Sequence, residues 1–322
     1  MSDLLQANVV AKEAVAENTY AFTLEAAQGG KAISRMAGAH IDVHLPSGLV
    51  RQYSLTGLKR DVPHQLSIAV LREETGEGGS RELCDKIQTG DTLSISAPRN
   101  TFALDHGRDA YHLLAGGIGL TPILHMAIEL AELGKPFMLD ICARSESTIP
   151  FRDFLSRPEF AGRVRYHLSQ GPNAARLDLA DYIAGMPSGV QLYACGPGRM
   201  LDELAQLTSD WGMERLRTER FENTVEELSA EDSGSFTVEL ARSGKSFSVP
   251  EDKSILEMIN ELGVSRDSSC LEGVCGTCIT DVVSGDIIHR DACLYDEEKA
   301  ANSAMAVCVS RGKPGCTIVL DL

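Results

Sequence analysis

Cys270, Cys275 and Cys278 stand at the spacing C-x4-C-x2-C, written CLEGVCGTC, and Cys308 follows thirty positions after the third. Four thiolates so spaced are the ligand set of a plant-type 2Fe-2S cluster, which passes one electron at a time. Zinc is the strongest rival, because a set of four thiolates suits it too. Zinc ribbons pair two C-x2-C knuckles, however, and only one short pair occurs here. Cys84, Cys142, Cys293 and Cys316 read as buried thiols. The odd total of nine cysteines argues against a disulfide framework, and the start MSDLLQANVV lacks a signal peptide's basic segment and apolar core. The expectation is a cytoplasmic protein with reduced thiols.

Two glycine turns have the composition of phosphate cradles. Ala115-Gly116-Gly117-Ile118-Gly119-Leu120-Thr121-Pro122 joins an apolar run to a helical one, with Thr121 read as the N-cap, Pro122 as the first helical residue and Gly134 as the stop. Cys195-Gly196-Pro197-Gly198 repeats the arrangement after the run VQLYA. Glycine lets backbone amides approach a pyrophosphate, whose charge a helix N-terminus favours. Tight packing alone also produces such turns, and the full G-x-G-x-x-G spacing is absent. Nearer the start, Arg51-Gln52-Tyr53-Ser54 puts Arg51 and Tyr53 on one face of a strand. An arginine can fork onto a phosphate, and a tyrosine can lie along an apolar ring system. Gly76-Glu77-Gly78-Gly79-Ser80-Arg81, opening the helical run RELCDKI, is a further candidate cradle. The eight histidines are scattered, and none is nominated as a general acid or base.

Three rhythms organise the elements that must position these residues. Residues 1–107 alternate in short runs, IDVHLP, VRQYSLTG, QLSIAVLRE and DTLSISAP, broken by turn residues. That pattern predicts a closed antiparallel β-barrel. Residues 108–222 read strand, glycine turn, helix, repeated, which predicts an α/β doubly wound parallel sheet. Residues 223–234, polar and acidic, read as a linker, and 235–322 as a compact α+β domain carrying the cysteines. The formal net charge of -16 argues against nucleic acid as a partner, and no apolar stretch approaches a membrane span.

Taken together, RQYS, the GGS loop, GGIGLTP, CGPG and CLEGVCGTC with Cys308 resemble the phthalate dioxygenase reductase family, within the ferredoxin-NADP reductase superfamily. The resemblance spans nearly the whole chain in the same domain order. It implies an FMN-binding barrel, an NADH-binding domain and a β-grasp plant-type 2Fe-2S ferredoxin domain, supplying electrons to a Rieske-type terminal oxygenase. Carried onto this sequence, it implies that Arg51 contacts the flavin phosphate, Tyr53 stacks along the flavin and Ser54 hydrogen-bonds near N5. Gly79 and Ser80 would close on the phosphate, and Ala69 and Val70 would line the flavin through backbone groups. Gly116, Gly117, Gly119 and Thr121 would lie beneath the NADH pyrophosphate and near the ring, with Cys195 and Gly196 beside the nicotinamide. Phe221 would cover the flavin, and Cys308 rather than Cys316 would be the fourth cluster ligand. Arg144, with Ser145 and Ser147, stands where superfamily members meet the adenosine ribose; Glu146 and the acidic chain favour NADH over NADPH. Two other readings remain at this point: the same chemistry serving a cytochrome-type monooxygenase, and a flavin and iron-sulfur redox sensor.

Overall fold

The computed structural model describes residues 4–26, 36–59, 61–62, 64–172, 174–212, 215–223, 228–229 and 231–322. Of the expected linker, residues 224–227 and 230 lie outside these described residues. The chain forms two units, Asp3–Glu219 and Arg220–Leu322.

In the first unit, β1 (Leu5–Ala16), β2 (Thr19–Ala26), β3 (Ala39–His44), β4 (Val50–Ser54), β5 (Gln65–Leu71), β6 (Thr92–Ile95) and β7 (Arg99–Asn100) build an antiparallel sheet, with α1 (Gly79–Lys86) between β5 and β6. Its path is β4-β3-β6-β1-β2-β5, and β7 pairs with β3. A bridge from Leu55 to Ile68 and a 2.9 Å bond from the Thr56 N–H to the Ser67 carbonyl close it into a barrel. Val9, Phe22, Leu24, Ile41, Val43, Leu66, Ile68 and Ile95 fill the interior, each contributing about 1.5–3 kcal/mol when buried.

Beyond the barrel lie β8 (Tyr111–Gly116), α2 (Leu120–Glu132), β9 (Phe137–Ala143), α3 (Arg152–Leu155), β10 (Val164–Leu168), α4 (Leu179–Ala184), β11 (Gln191–Cys195), α5 (Gly198–Leu207) and β12 (Leu216–Glu219). The sheet is wholly parallel, in the order β10-β9-β8-β11-β12. Tyr111, Leu113 and Ala115 pack on the α2 side, and Leu114 packs with α4 and α5 on the other. Both faces are therefore covered, as continuous apolar strands require. Chain order reverses direction between β8 and β11. Ligands of such sheets bind outside the carboxyl ends of the strands at that point.

In the second unit, β13 (Phe236–Leu240), β14 (Ser246–Val249), α6 (Ile255–Glu261), β15 (Ile279–Ser284), β16 (Ile287–Ile288), α7 (Asp296–Ala301), β17 (Ala304–Ala306), β18 (Arg311–Gly312) and β19 (Thr317–Leu320) follow. The main sheet runs β14-β13-β19-β15-β17, with β13 and β19 parallel. The α6 helix starts on a capping box. Ser254 Oγ accepts from the Glu257 N–H at 3.2 Å, and a Glu257 carboxylate oxygen accepts from the Ser254 N–H at 2.7 Å. It buries Ile255, Leu256 and Ile259 against the sheet core and stops before Gly263, whose φ is +69°. A hairpin, a helix and a parallel return strand give the expected β-grasp.

Candidate functional site

Among the described residues no ladder joins β4 itself to β5; their pairing begins just past β4, at the bridge from Leu55 to Ile68. Arg51 and Tyr53 thus stand on one lip and Ala69 and Val70 on the other. Tyr53 is half-buried beside the barrel core, and burial pushes its phenol well above the usual range. Ala69 and Val70 point to opposite sides: Val70 joins the barrel core, Ala69 the core on the α2 side. Any contact they offer a ligand on this lip is therefore through the strand backbone.

Arg51 lies across the N-terminus of α1. A Cβ at Gly79 would stand 2.8 Å from Arg51 Cγ and 2.9 Å from Nε, so only glycine admits this side chain. The Arg51 guanidinium ion-pairs with the exposed Glu77 carboxylate, and Arg81 flanks Gly78. Two guanidinium groups at an eight-residue helix N-terminus make a fitting anion cradle. Ser80 sits in the first turn and its Oγ accepts from the Glu73 N–H at 3.2 Å.

The two glycine turns of the nucleotide sheet pack directly on one another. A Cβ at Gly119 would collide with the Cys195 carbonyl, one at Gly116 would meet Pro197 Cδ at 2.5 Å, and one at Gly196 would meet Gly116 Cα at 2.9 Å. Those three glycines are thus explained by close approach of β8 and β11. Gly117 differs: its φ is +55° and a Cβ there would meet nothing within 4 Å, so it faces open space. Thr121 is not the N-cap. Gly119 holds that position, and Thr121 lies inside the first turn of α2, donating its hydroxyl to the Ile118 carbonyl at 3.0 Å. A short 3-10 turn over Gly117–Gly119 draws the chain into helix two residues early. Gly134, at φ +66°, does follow the helix end.

Sequence reasoning missed Glu219. The last residue of β12 stands opposite Cys195 in the parallel register, and its carboxyl hydrogen-bonds the buried Ser54 hydroxyl. Although the residue as a whole is half-buried, its Oε2 is shut from solvent. Burial pushes the carboxyl up to about 8, the Ser54 bond opposing in part. Cys195 is fully buried, and burial together with Glu219 raises its thiol. Ser54, Cys195 and Glu219 therefore form one cluster. No signal in the sequence pointed to it, because β12 reads LRTE and carries no apolar rhythm that would mark Glu219 as ending a strand of the parallel sheet.

Arg144 is exposed just past β9, with no side-chain partner among the described residues. Its neighbours are committed elsewhere. Glu146 pairs with Arg152 at 3.0 Å, the Ser145 and Ser147 hydroxyls lie 3.0 Å apart, and Ser147 donates to Glu17 at 3.0 Å. Phe221 falls in the second unit and is 39% exposed.

In that second unit the four thiols converge as two pairs. Cys278 and Cys308 are 3.2 Å apart at sulfur, and Cys270 and Cys275 share a hydrogen bond. Each pair lowers one proton affinity: the Cys275 and Cys278 thiols are pushed down by S–H bonds from Cys270 and Cys308. Cys270 Sγ also accepts from the N–H groups of Glu272 and Cys275, both at 3.4 Å. Among the described residues no three His, Cys, Asp or Glu side chains gather as a single-metal site. Two pairs suit two irons, each taking two thiolates, and the backbone N–H groups suit sulfur that carries charge. Cys316 lies apart, its Sγ 3.8 Å from the Asp286 carbonyl. All nine cysteines are free.

Residues 6–104 match a family described as an oxidoreductase FAD-binding domain, and residues 238–313 match a 2Fe-2S iron-sulfur cluster binding domain. The chain is 39% identical to a vanillate O-demethylase oxidoreductase of Pseudomonas sp. (strain HR199 / DSM 7063), covering 99% of this chain and 100% of that one. It superposes on a structure titled phthalate dioxygenase reductase, a modular structure for electron transfer from pyridine nucleotides to [2Fe-2S], with TM-score 0.70 and 35% identity, covering 99% of this chain and 98% of that one. It also superposes on an intact type IV self-sufficient cytochrome P450 monooxygenase, with TM-score 0.89 and 33% identity, over 99% of this chain and 41% of that one. A flavin barrel, a doubly wound nucleotide sheet and a four-thiol β-grasp domain, joined in one order along nearly the full length of the demethylase oxidoreductase and of the phthalate dioxygenase reductase, mean that the chain belongs to the phthalate dioxygenase reductase family.

Proposed function

We propose that this protein is the reductase component of a multicomponent oxygenase, taking a hydride from NADH onto FMN and passing single electrons through a 2Fe-2S cluster to a Rieske-type terminal oxygenase in the cytoplasm. The observation that carries the reading is the union in one chain of an Arg51–Gly79 anion cradle, an open Gly117 turn and a paired thiol quartet. Flavin supplies the chemistry that joins the ends, since it accepts electrons as a pair and releases them singly.

The protein's own share is positioning and proton control. Arg51, Gly79 and Ser80 hold the flavin phosphate; Tyr53, Ala69 and Val70 border the ring. The packed turns of Gly116, Gly119 and Gly196 set the floor for the nicotinamide nucleotide, with Gly117 admitting its pyrophosphate, Thr121 and Cys195 beside the ring and Arg144 toward the ribose. Holding the two cofactors at reacting distance supplies most of the acceleration such a transfer needs. Ser54 Oγ and the Glu219 carboxyl hold a proton between them, beside a carboxyl oxygen shut from solvent, where burial strengthens the bond. Cys270, Cys275, Cys278 and Cys308 take the cluster.

The test is anaerobic addition of NADH to purified protein with absorption monitored across the flavin and cluster bands. Both bands should bleach, and reoxidation by a Rieske oxygenase preparation should turn over NADH; an absent cluster band or absent NADH oxidation defeats the proposal. The likeness to the P450 fusion supports a second acceptor, a cytochrome-type monooxygenase. Faster reoxidation by a P450 than by Rieske oxygenases would select it. The flavin is expected to be FMN, although the matched domain description names FAD; mass spectrometry of heat-released flavin decides.

A further inference from the structure

Asn223 stands four residues past the end of β12, in the second unit, and its side-chain amide reaches two carbonyls of the cluster region. Nδ2 donates to the Glu272 carbonyl at 2.8 Å and to the Arg290 carbonyl at 2.8 Å. Both acceptors are carbonyl oxygens, so the NH2 end must face them and both its hydrogens are used. The two acceptors lie on opposite sides of one seam. On one side is the cysteine loop, on the other the segment 289–294. Across it the Ala292 N–H donates to the Gly273 carbonyl at 2.9 Å, and a Cβ on Gly273 would stand 3.2 Å from Asp291 Cα. Asp291 continues the seam toward the other thiol pair. Its Oδ1 accepts from Ser310 Oγ at 3.1 Å, and the Arg290 N–H donates to the same Ser310 oxygen at 3.2 Å, two residues after Cys308.

The loop that Asn223 holds is not at rest by itself. Leu271 has φ +61°, a left-handed conformation that a leucine adopts only when its surroundings impose it. Its neighbour Glu272 presents its N–H to Cys270 Sγ at 3.4 Å. Hydrogen bonds to cysteine sulfur disperse the charge added on reduction and so raise a cluster's potential.

We propose that Asn223 is a positioning residue for the cluster: by clamping Glu272 to Arg290 it holds the cysteine loop in the conformation that keeps the N–H bonds on Cys270 Sγ, and thereby sets the cluster's reduction potential. The idea rests on the four-cysteine cluster assignment. It gives residue 223, in a segment that otherwise reads as a tether, a defined part in electron delivery.

The test is spectroelectrochemical titration of the holoprotein and its Asn223→Ala and Asn223→Asp variants, with iron and sulfide content measured on each and amide hydrogen exchange followed at Glu272 and Cys275. Asn223→Ala should keep its full cluster content, exchange faster at both amides, and show an equilibrium constant for one-electron reduction of the cluster about three- to tenfold lower, or roughly 30–60 mV at ~59 mV per tenfold. Asn223→Asp, which sets a carboxylate against two carbonyls, should fall further. An unchanged potential and exchange rate in Asn223→Ala would overturn the proposal. So would failure of Asn223→Ala to assemble the cluster, since that assigns the residue to folding rather than tuning. Absence of cluster absorption in the unaltered protein would instead defeat the ligand assignment.

Discussion

Three of the four proposed cluster ligands come from nine consecutive residues, Cys270 to Cys278, whereas Ser54, Cys195 and Glu219 come from three strands separated by 141 and 24 positions. The thiol site is written locally, and the chain needs only one distant segment, that bearing Cys308, to complete it. The Ser54 cluster exists only because the barrel and the parallel sheet bring β4, β11 and β12 together. The locally written site has ligands that nothing else can replace. The assembled one has members whose loss shifts positions, proton affinities and rates by degrees.

The sharpest way to break that contrast is Cys308→Ser. It should abolish the cluster absorption and electron output to one-electron acceptors while NADH still reduces the flavin, because no other thiol is paired with Cys278. Cys316→Ser should retain the cluster. The opposite pair of results, read by absorption spectra and iron content, would show the fourth ligand to be Cys316.

Glu219 should show the next largest effect. Its folded value of about 8 lies above the 4.5 of an ordinary glutamate, so unfolding releases a proton in the window between them. Its contribution to stability is complete below about 4.5 and is lost as pH rises through about 8, an effect on the order of 5 kcal/mol at most. In urea unfolding of the flavin-free protein, the stability of the unaltered chain relative to Glu219→Gln should fall across that window. A flat difference would mean that the carboxyl is not buried as described.

Arg51→Ala should weaken flavin binding by roughly 10- to 100-fold, the worth of a charge-assisted bond of about 1.5–3 kcal/mol, measured by fluorescence titration. Gly79→Ala should do the same by displacing the Arg51 side chain. A change of less than twofold in both would place the phosphate elsewhere.

The smallest effect is expected at the ribose. NADH should give the higher kcat/KM, but Glu146→Gln should change the ratio of the two cofactors by no more than about fivefold, since an exposed ion pair such as Glu146 with Arg152 is worth at most about 1 kcal/mol. A larger change would mean that Glu146 acts at the ribose despite its pairing with Arg152.

Strands with strong period-two or continuous apolar runs, such as β4, β5, β8 and β11, were legible because burial demands those residue types. β10 and β12 were not. They read VRYHL and LRTE, edge strands whose residues are all half-buried or exposed, so no hydrophobic rhythm marks them. The helix start at Thr121 was misplaced because an N-cap preference is local, while the actual start was decided by Gly119 packing on the Cys195 carbonyl. The C-x4-C-x2-C thiols and the three rhythms of the chain were legible from residue type and spacing, since ligand chemistry and local periodicity need no knowledge of distant contacts, whereas the roles of Arg51 and Cys308 were read only from the family resemblance. The raised Glu219 carboxyl, the division of the glycines into packed and open, the pairing of Glu146 with Arg152 and the two carbonyl bonds of Asn223 were decided only by the tertiary structure, because burial and pairing are properties of what other segments bring alongside.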